Sequence, residues 1–556
     1  MDIKFLGAVK GITGSCHLIR YKDKRILLDC GLFQGKDENL NFEEFEVDPS
    51  EINYIFLSHS HIDHSGRIPL LVKNGFKGAI FCSRPTYDLC GIMLLDSAYI
   101  QESEAEWKNR KAVRSGKKQV KPLYTQVDAE NSLKYFKPVE YEQIIEVFEG
   151  LTVRFNDAGH ILGSSIIEMR FNDNEDNVKL VFSGDLGMRE KPLLRDPSKI
   201  DRADYVIIEA TYGNRLHEDV EQRTKELIDI ILKTIQRGGN VIIPSFAVGR
   251  TQELIYELNK YYDCHMDEFC SYGNPLKDIP VYIDSPLATK ATEIFKKNAH
   301  VFDVEARDYI LNGNNPLEFD NLNFTQSVEE SRKLNLSLSP KIIISASGMC
   351  EAGRIKHHLK HNLWRKESSI VFVGYQAEGT LGRRILNGEK DVKIFGENIR
   401  VNAEIYNLEG FSGHADKHEL LNWLGDFKEK PDTVFIVHGE EASKQDFAND
   451  VNEKFNINCV VPEYNKVYKI KSPKALEEIF IEELDKNKKL NYKTANVNVS
   501  ELMKNLEELK GIFDIAVNRT KSHIQNETSK KEMEKIHNLI IDLEKEIIAL
   551  TMMISE

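Results

Sequence analysis

The 556-residue chain is too long for one hydrophobic core, and its length predicts three or four structural units. No run of 18 apolar residues occurs and the N-terminus lacks the pattern of a signal peptide, so we expect neither membrane insertion nor secretion. Eight cysteines without a CxxC pair argue against a thiolate metal site and favour a cytoplasmic location, and a formal charge of −14 excludes a surface that is adhesive to nucleic acid throughout.

Short apolar runs alternate with helical patterns along most of the chain, which predicts an α/β fold. The predicted buried strands cover residues 53–58, 179–184, 205–210, 240–245, 280–285, 341–346 and 369–374. Amphipathic helices are predicted at 251–262 and 287–298. Ligand sites in such folds gather at the carboxyl ends of strands, which is where the unusual residues of this chain lie.

The run His59-Ser-His61-Ile-Asp63-His64 directly follows the first of these strands. Three imidazoles and a carboxylate would each need a polar partner in a core, so a structural role for all four is the weaker interpretation. Zinc takes histidine nitrogen and aspartate oxygen ligands. On a tight loop, His59 and His61 can face one ion while Asp63 and His64 face a second.

Residues 101–121 are acidic at first and basic afterwards. Three glutamates precede a group of cations, namely Lys108, Arg110, Lys111, Arg114, Lys117, Lys118 and Lys121. The pattern indicates a solvated helix with acids near its start and bases near its end, as the helix dipole favours. Contact of the basic end with RNA is the alternative.

Four further residues of ligand type follow apolar runs elsewhere. His160 lies in FNDAGHILG, Asp185 in FSGDLG and His438 after TVFIV, and each adjoins Gly or Ala. One cluster cannot fill two metal sites, so His160, Asp185 and His438 are expected to supply the missing ligands. Asp29 ends the run RILLD and is expected to accept a hydrogen bond from a ligating histidine.

Beyond about residue 470 the composition shifts to Lys, Glu, Asn and Leu. Leu502, Leu506 and Leu509 lie on one helical face, and Ile540, Leu543, Ile547 and Leu550 lie on another. We expect two helices that form either a hairpin packed on its own chain or a contact between two chains of a homodimer.

The order HSHIDH, AGH and SGD resembles the signature of the metallo-β-lactamase superfamily, whose fold is an αββα sandwich. Glu209 in IIEATYG, His414 in FSGHAD and His438 in IVHGE look like the three additional motifs of the β-CASP nucleases. The turns PSFAVGRTQELI, SASGMCEAGR and GYQAEGTLGR are similar to the same family. The resemblance is greatest to the nuclease subunit of the cleavage and polyadenylation factor and its bacterial and archaeal relatives.

This resemblance implies a domain organisation. A metallo-β-lactamase domain would consist of residues 1–211 and 396–470. An α/β β-CASP domain would be inserted at 212–395, and a helical extension would follow at 471–556.

The resemblance also implies roles. One zinc ion would be bound by His59, His61 and His160 and a second by Asp63, His64 and His438, with Asp185 bridging them. Asp63 and Asp185 would thereby take part in catalysis, and His414 paired with Glu209 would protonate the leaving oxygen. A histidine oriented by a carboxylate suits that role on chemical grounds alone.

Three Gly-rich turns in the predicted insertion join a strand to a helix. Small residues and helix N-termini bring backbone N–H groups close to a phosphate, and arginines add charged donors. The candidate substrate-binding residues are Ser245, Arg250, Ser347, Gly348, Arg354, Gly379, Thr380 and Arg383. Ordinary αβ turns are the alternative, whereas a nucleotide-cofactor site is not indicated because no GxGxxG and no P-loop lysine occur.

The sequence therefore predicts a zinc-dependent ribonuclease with two Zn²⁺ ions that cleaves single-stranded RNA at internal bonds. Internal cleavage is expected because the ribonuclease J relatives carry a different N-terminus and a C-terminal domain. Action as a 5′-exoribonuclease and action on DNA are the alternatives. A small-molecule hydrolase on the same fold would need no pair like Glu209 and His414, and an inactive scaffold would not keep all seven metal ligands.

Overall fold

A computed structural model describes residues 1–471, apart from 117, 173–176, 218–219, 265–275, 313, 378 and 409–412, and residue 510. One compact unit comprises Met1–Ile310 and Asn315–Ala475, and a second comprises Leu311–Asn314 and Leu476–Glu556. The two predicted C-terminal helices, and the dimer contact suggested for them, lie outside the described residues. None of the helices in the described ranges is long and apolar enough to cross a membrane.

Two seven-stranded sheets form the centre of the first unit, with strands numbered in chain order. The first sheet has the spatial order β22-β1-β2-β3-β4-β5-β6 and contains β1 (Asp2–Phe5), β2 (His17–Tyr21), β3 (Lys24–Leu28), β4 (Tyr54–Phe56), β5 (Ala79–Ser83), β6 (Phe136–Val139) and β22 (Val467–Lys469). The second has the order β21-β20-β11-β10-β9-β8-β7 and contains β7 (Ile144–Phe148), β8 (Leu151–Asp157), β9 (Ser165–Asn172), β10 (Asn177–Phe182), β11 (Tyr205–Glu209), β20 (Thr433–Val437) and β21 (Asn458–Val460).

The inner faces of these sheets share one core. It includes Phe5 from β1, Phe155 from β8, Ile167 from β9 and Phe435 from β20. Alternate residues of each strand point to opposite faces, so the apolar side chains on the outer face of each sheet must pack against other elements. Helices provide that cover on both sides.

The helices on the first sheet are α1 (Ile62–Ser65), α2 (Ile68–Lys73), α3 (Arg84–Ser115) and α4 (Gln126–Ser132), and those on the second are α12 (Lys417–Gly425) and α13 (Glu441–Phe455). Short 3-10 helices lie at Gly35–Phe42, Pro49–Glu51, Leu133–Tyr135 and Ala299–Val301. The layers are thus helix, sheet, sheet and helix, which confirms the predicted αββα sandwich.

Helix α3 differs from its prediction. It begins at the N-cap Ser83, whose hydroxyl accepts a hydrogen bond from the N–H of Thr86, and Pro85 occupies the first turn. The glutamates at 102–106 therefore lie in the middle of the helix rather than near its start, because this cap precedes the charged segment. The bases at 108–114 do occupy its last turns.

A third sheet contains six parallel strands in the order β14-β13-β15-β12-β16-β19. Its strands are β12 (Val241–Pro244), β13 (Val281–Ile283), β14 (Leu322–Phe324), β15 (Ile342–Ser345), β16 (Ser369–Phe372) and β19 (Glu404–Asn407), and a hairpin of β17 (Asp391–Ile394) and β18 (Glu397–Arg400) precedes β19. The sheet thus spans residues 241–407 and has one strand beyond residue 395, where the predicted insertion ends.

Helices cover both faces of this third sheet, as expected for parallel strands with continuous apolar sequences. On one face lie α5 (Val220–Gln236), α6 (Arg250–Cys264), α7 (Pro286–Lys297) and α8 (Val304–Leu311); on the other lie α9 (Val328–Leu336), α10 (Ile355–Asn362) and α11 (Leu381–Leu386). The seven predicted strands and both predicted helices are confirmed, with boundaries shifted by a few residues.

The core of the third sheet extends into the sandwich. Leu89 of α3, Ile161 and Leu193 pack in the same cluster as Leu254 of α6. Ile161 directly follows His160, so the inserted sheet packs against the loop that carries a predicted metal ligand.

Candidate active site

The predicted ligands lie at one edge of the two central sheets. In the second sheet β10 pairs in parallel with β11, and β11 with β20, so their carboxyl ends meet at the same edge. His160 follows β8, Asp185 follows β10 and His438 follows β20. In the first sheet β4 leads to His59 in the same way. Strand order brings the residues of each sheet to this edge, and the packing of the two sheets brings the two sets together.

The loop after β4 is held by close backbone contacts. Cys30 donates from its N–H to the carbonyl oxygen of His64 at 2.8 Å, and Ser15 donates to that of Asp63 at 2.8 Å. A Cβ atom on Gly31 would lie 1.6 Å from the carbonyl oxygen of Asp63, so only glycine fits there. These contacts fix the direction in which the side chains of this loop point.

His59, His61, His160 and Asp185 form the first cluster. Nδ1 of His61 lies 3.1 Å from Nε2 of His59 and 3.2 Å from Nε2 of His160. Oδ2 of Asp185 lies 3.6 Å from Nε2 of His59 and 3.8 Å from Nε2 of His160. One donor atom from each side chain thus faces a common point, with all four atoms within 4.8 Å of one another.

Asp63, His64 and His438 form the second cluster. Nε2 of His64 lies 3.1 Å from Nε2 of His438, and Oδ2 of Asp63 lies 3.6 Å from the same His438 atom. Asp185 adjoins this cluster too, because its Oδ2 lies 3.3 Å from Nε2 of His64 and its Oδ1 lies 3.6 Å from Nδ1 of His438. Asp185 is thus the carboxylate shared by both groups.

The protonation of the first cluster suits ligation. Burial lowers the pKa of His59 and of His160 well below the usual value, with nearby positive charge on His64 and His414 respectively adding to the effect. Burial also lowers the pKa of His61 to about 4. Neutral imidazoles present lone pairs, and lone pairs that face one another at 3.1–3.2 Å are favourable only around a shared proton or a cation.

In the second cluster the pKa of a histidine is raised rather than lowered. Burial opposes charge on His64, but the carboxylates of Asp185, Asp29 and Asp63 outweigh it and raise the pKa of His64 well above its usual value. The position among these carboxylates thus favours positive charge. Oδ1 of Asp185 is buried and has no hydrogen-bond partner among the described residues. Nitrogen and carboxylate donors with these properties fit divalent metal ions.

Asp29 takes the role predicted for it towards one histidine. Its Oδ2 lies 2.7 Å from Nδ1 of His64, which directs Nε2 of that ring towards the second cluster. The N–H of Ser58 donates to Oδ1 of Asp29 at 2.8 Å, and the hydroxyls of Ser58 and Ser15 each donate to Oδ2 at 3.0 Å. The carboxylate is completely buried and fixed from three sides.

His438 is held in an unusual backbone conformation. Its φ is 50°, in the left-handed region, and its N–H donates to the carbonyl oxygen of Ala8 at 2.7 Å. The hydroxyl of Thr211 lies 3.0 Å from Nδ1 of the ring. Thr211 was not predicted, although its position two residues after Glu209 in the same motif was a usable signal.

Glu209 and His414 form a hydrogen-bonded pair beside Asp185. Nδ1 of His414 lies 3.1 and 3.2 Å from the carboxylate oxygens of Glu209 and 3.8 Å from Oδ2 of Asp185. Glu209, the last residue of β11, is buried and accepts a hydrogen bond from the N–H of Leu186 at 2.7 Å. His414 remains one-fifth exposed, so its ring is fixed but accessible.

The pKa of His414 reflects this pairing. Burial alone would lower it, but the charge and hydrogen bond of Glu209 outweigh burial and raise the pKa of His414 to about 9. Glu209 thus holds a proton on His414, leaving Nε2 as a donor.

Two of the predicted substrate-binding arginines have protein partners. Arg250, at the start of α6, is buried and its Nη1 lies 2.7 Å from Oε2 of Glu253. Arg354 donates from Nη1 to Oδ1 of the buried Asp284 and from Nη2 to the carbonyl oxygen of Gln326, both at 2.6 Å. Both guanidinium groups therefore fasten the loops in which they lie.

The other predicted substrate-binding residues also lie in the three turns. The hydroxyl of Ser245 is buried and bonded within its own loop, and Gly348 is buried beside the half-exposed Ser347. Thr380 caps α11 by accepting from the N–H of Arg383 at 3.2 Å, and Gly379 has a φ of 85°. Each turn joins a strand to a helix, and the first leads into α6, which packs in one cluster with Ile161.

Comparison with known families agrees with this geometry. Residues 9–245 match the metallo-beta-lactamase superfamily, residues 251–385 match the Beta-Casp domain, and residues 398–462 match the Zn-dependent metallo-hydrolase RNA specificity domain. The first match ends directly after β12, and the last begins within β18.

Curated relatives are similar over most of the chain. It is 36% identical over 441 residues to Ribonuclease TTHA0252 of Thermus thermophilus, which covers 79% of this chain and 94% of the relative. It is 32% identical to Transcription termination factor FttA of Methanocaldococcus jannaschii, covering 83% of this chain and 70% of the relative. The FttA of Methanosarcina mazei is 34% identical, with 81% and 69% covered.

Proposed function

The chain belongs to the β-CASP family of the metallo-β-lactamase superfamily, and from that premise we propose that it is a zinc-dependent ribonuclease. It hydrolyses phosphodiester bonds of single-stranded RNA, cutting within the chain. The observation that carries the proposal is the pair Glu209–His414 beside Asp185, the carboxylate shared by two clusters of metal-ligand atoms. A binding protein or a scaffold would have no need of a fixed proton donor at that position.

Two zinc ions per chain are proposed as the cofactors. His59, His61 and His160 would hold one, Asp63, His64 and His438 would hold the other, and Asp185 would contribute to both. When bound, the ions supply Lewis acidity towards water and towards the oxygens of the phosphodiester. The match at residues 398–462 is described as a zinc-dependent metallo-hydrolase domain, which supports this choice of metal.

The side chains of this protein supply orientation and the proton. Asp29 holds the ring of His64, and Thr211 holds that of His438, so both rings keep one nitrogen directed at the cluster. His414 donates its proton to the departing oxygen, because a ribose oxygen leaves poorly as an alkoxide. Glu209 keeps the imidazole protonated and in one orientation until that transfer occurs.

RNA as substrate is supported by the relatives and by the family match at residues 398–462. The matched region 398–462 is described as an RNA specificity domain, and Ribonuclease TTHA0252 is named for its action on RNA. Since Arg250 and Arg354 are bonded to protein groups and the hydroxyl of Thr380 donates to the carbonyl oxygen of Ala377, phosphate contacts in the turns would come from backbone N–H groups and from Ser347.

Action on nascent transcripts is a second candidate. It is favoured by the relatives named Transcription termination factor FttA. The chain spans about 70% of their length, however, whereas it spans 94% of the ribonuclease, so a ribonuclease acting by itself is the better-supported function.

Cleavage of end-labelled RNA tests the proposal. The purified zinc-loaded protein is incubated with one single-stranded RNA labelled at its 5′ end and, separately, with the same RNA labelled at its 3′ end. Internal fragments from both labels support endonucleolytic cleavage, and release of a labelled 5′ mononucleotide would show 5′-exonuclease action instead. No cleavage of RNA under conditions where the same protein cleaves single-stranded DNA would overturn the choice of substrate.

A further inference from the structure

The turn between β12 and α6 contains one exposed side chain, and it is aromatic. Residues 241–259 are buried throughout except for Phe246, which is 45% exposed. Burying a phenylalanine side chain removes apolar surface from water and is favourable, so an exposed ring in an otherwise buried turn forgoes stabilisation. Single exposed apolar residues are common on protein surfaces, however, and exposure alone therefore assigns no role.

The ring of Phe246 is held in place by its backbone. Its carbonyl oxygen accepts hydrogen bonds from the hydroxyl of Thr251 at 2.7 Å, from the N–H of Thr251 at 3.3 Å and from the hydroxyl of Ser245 at 3.3 Å. Both partners are buried. The Cα of Phe246 is thus fixed on the end of α6, which leaves little freedom for the side chain beyond its own torsions.

One part of the ring rests on the neighbouring turn. A Cβ atom on Gly348 would lie 3.1 Å from Cε2 and 3.2 Å from Cδ2 of Phe246, so the ring contacts the backbone of that glycine. Any larger residue at position 348 would displace the ring. The remaining surface of Phe246 faces solvent, and Ser347, half-exposed, adjoins the same place. Two of the three turns proposed to contact phosphate thus meet at this ring.

The same turn contacts the metal-ligand loop. Gly249, three residues after Phe246, packs so closely that an added Cβ would lie 3.0 Å from Cγ2 of Ile161, the neighbour of His160. Phe246 therefore lies in a loop that packs against the loop of a metal ligand. A rigid, half-exposed aromatic ring in this loop is suited to contact the part of a substrate that adjoins the reacting phosphate.

We propose that Phe246 is a base-stacking residue, on which an unpaired nucleobase next to the cleaved phosphodiester stacks. This inference rests on the proposed ribonuclease function and deepens it. Every base has an aromatic face, so stacking on Phe246 binds RNA without selecting a sequence. A base inside a duplex already stacks on both neighbours and is unavailable, so the ring favours single strands.

Substitution of Phe246 tests the role with RNA cleavage kinetics. Stacking of one base contributes roughly 1–3 kcal/mol by alanine substitution, so Phe246→Ala is expected to raise KM for single-stranded RNA by roughly 5- to 100-fold. Phe246→Leu, which keeps apolar volume but has no aromatic face, should lose most of the same binding, and Phe246→Trp should restore it. The zinc content of all three should equal that of the wild type.

Phe395→Ala is the matched control. Phe395 is also an exposed aromatic residue of the inserted domain, at 53%, and lies in the hairpin of β17 and β18. Its loss should leave KM unchanged. Equal KM values for wild type, Phe246→Ala and Phe246→Leu would overturn the proposal, as would Leu restoring what Ala loses, since that result indicates apolar packing only.

Abasic substitution in the RNA gives an independent test. A set of otherwise identical RNAs carries one abasic nucleotide at each position flanking the cleavage site. For the wild type, one position should raise KM as much as Phe246→Ala does, and for Phe246→Ala the same abasic nucleotide should add little. Additive losses at every position would show that no base contacts Phe246.

The two hypotheses fail in different ways. A wild-type protein that binds zinc but cleaves no RNA contradicts the proposed function. A wild-type protein that cleaves RNA with the same KM whichever base is removed retains that function and contradicts the stacking role of Phe246.

Discussion

The ammonium group of Lys191 donates a hydrogen bond of 2.9 Å to the main-chain carbonyl oxygen of His160. Lys191 is buried, and its Nζ lies 3.8 Å from Oε2 of Glu253 in α6, which also pairs with Arg250. Burial lowers the pKa of Lys191 to about 8, against the opposing charge of Glu253. A buried ion pair thus connects helix α6 to the backbone of the loop that carries His160, a proposed metal ligand.

Replacement of this lysine should weaken the metal centre. Lys191→Met keeps the apolar stem but removes the hydrogen bond, so we expect zinc affinity or kcat to fall by roughly 10–100-fold, as for other groups that orient ligands. Zinc affinity is measured by competition with a chromogenic chelator. Lys199→Met, at a lysine that is 69% exposed, serves as the control. Wild-type zinc affinity and kcat in Lys191→Met would contradict the role.

Zinc content should depend on Asp185 more than on any exposed carboxylate. The wild type is expected to hold about two zinc ions per chain, and Asp185→Ala should lower binding at both sites because the Asp185 carboxylate adjoins both clusters. Metal analysis of protein purified without chelator measures this, with Asp391→Ala, at an exposed residue, as the control. Chelation should lower Tm, since ions that bind only the folded state stabilise it. One tightly bound ion per chain in the wild type would contradict the two-ion assignment.

Proton donation should be separable from metal binding. His414→Ala should retain its zinc yet cleave RNA roughly 10²–10⁴-fold more slowly, which is the usual contribution of a general acid. A substrate with a more acidic leaving group should recover part of that loss, because it needs less protonation. His418→Ala, four residues away and 66% exposed, should behave as the wild type. Loss of zinc from His414→Ala would show that His414 is a ligand instead.

The free energy of unfolding should decrease as pH rises because of Asp157. Burial raises its pKa to about 7, although the N–H of Gly159 and the charge of Arg195 oppose the shift. Between about pH 4 and pH 7 the folded protein therefore keeps a proton that the unfolded chain releases. The contribution of this group to the free energy of unfolding is complete below pH 4 and is lost as pH rises to about 7.

Asp157→Asn removes this dependence while keeping an acceptor for Gly159. The free energy of unfolding of both proteins is measured with urea at intervals from pH 4.5 to pH 7.5. The value for Asp157→Asn minus the value for the wild type should increase as pH rises. The difference between the two proteins cancels other titrating groups. Asp201→Asn, at an exposed carboxylate, should run parallel to the wild type. Parallel curves for Asp157→Asn as well would show that Asp157 is ionised in the folded protein at pH 5.

The αββα order was implied by the resemblance of short motifs to a known family, whereas the strands of the inserted sheet could be predicted because their signals are local. The runs at 240–245 and 341–346 are apolar over the whole length of a strand, which is what a strand buried on both faces requires. The start of α3 could not be predicted from the charged segment, because its N-cap, Ser83, lies 19 residues before that segment. The residues at 101–121 carry no signal of how far before them the helix begins.

The sequence by itself determined which residues are of ligand type and where each follows a strand, because donor chemistry and strand ends are properties of short segments. His59, His61, Asp63 and His64 were identifiable as one cluster since they share a loop. Only the tertiary structure decided that His438 meets His64 at 3.1 Å across 374 residues, because the packing of the second sheet, which carries His438, on the first sheet, which carries His64, sets that contact.

The same distinction explains the arginines and the aromatic ring. A sequence shows that Arg250 and Arg354 can donate to phosphate, but whether a guanidinium is free depends on which carboxylate the fold places beside it. Here Glu253 and Asp284 bind them. Likewise, Phe246 lies in an apolar run and looks like core from its neighbours, and only the packing of Gly348 beneath it leaves the ring exposed. Exposure and pairing belong to three-dimensional packing, which no single segment encodes.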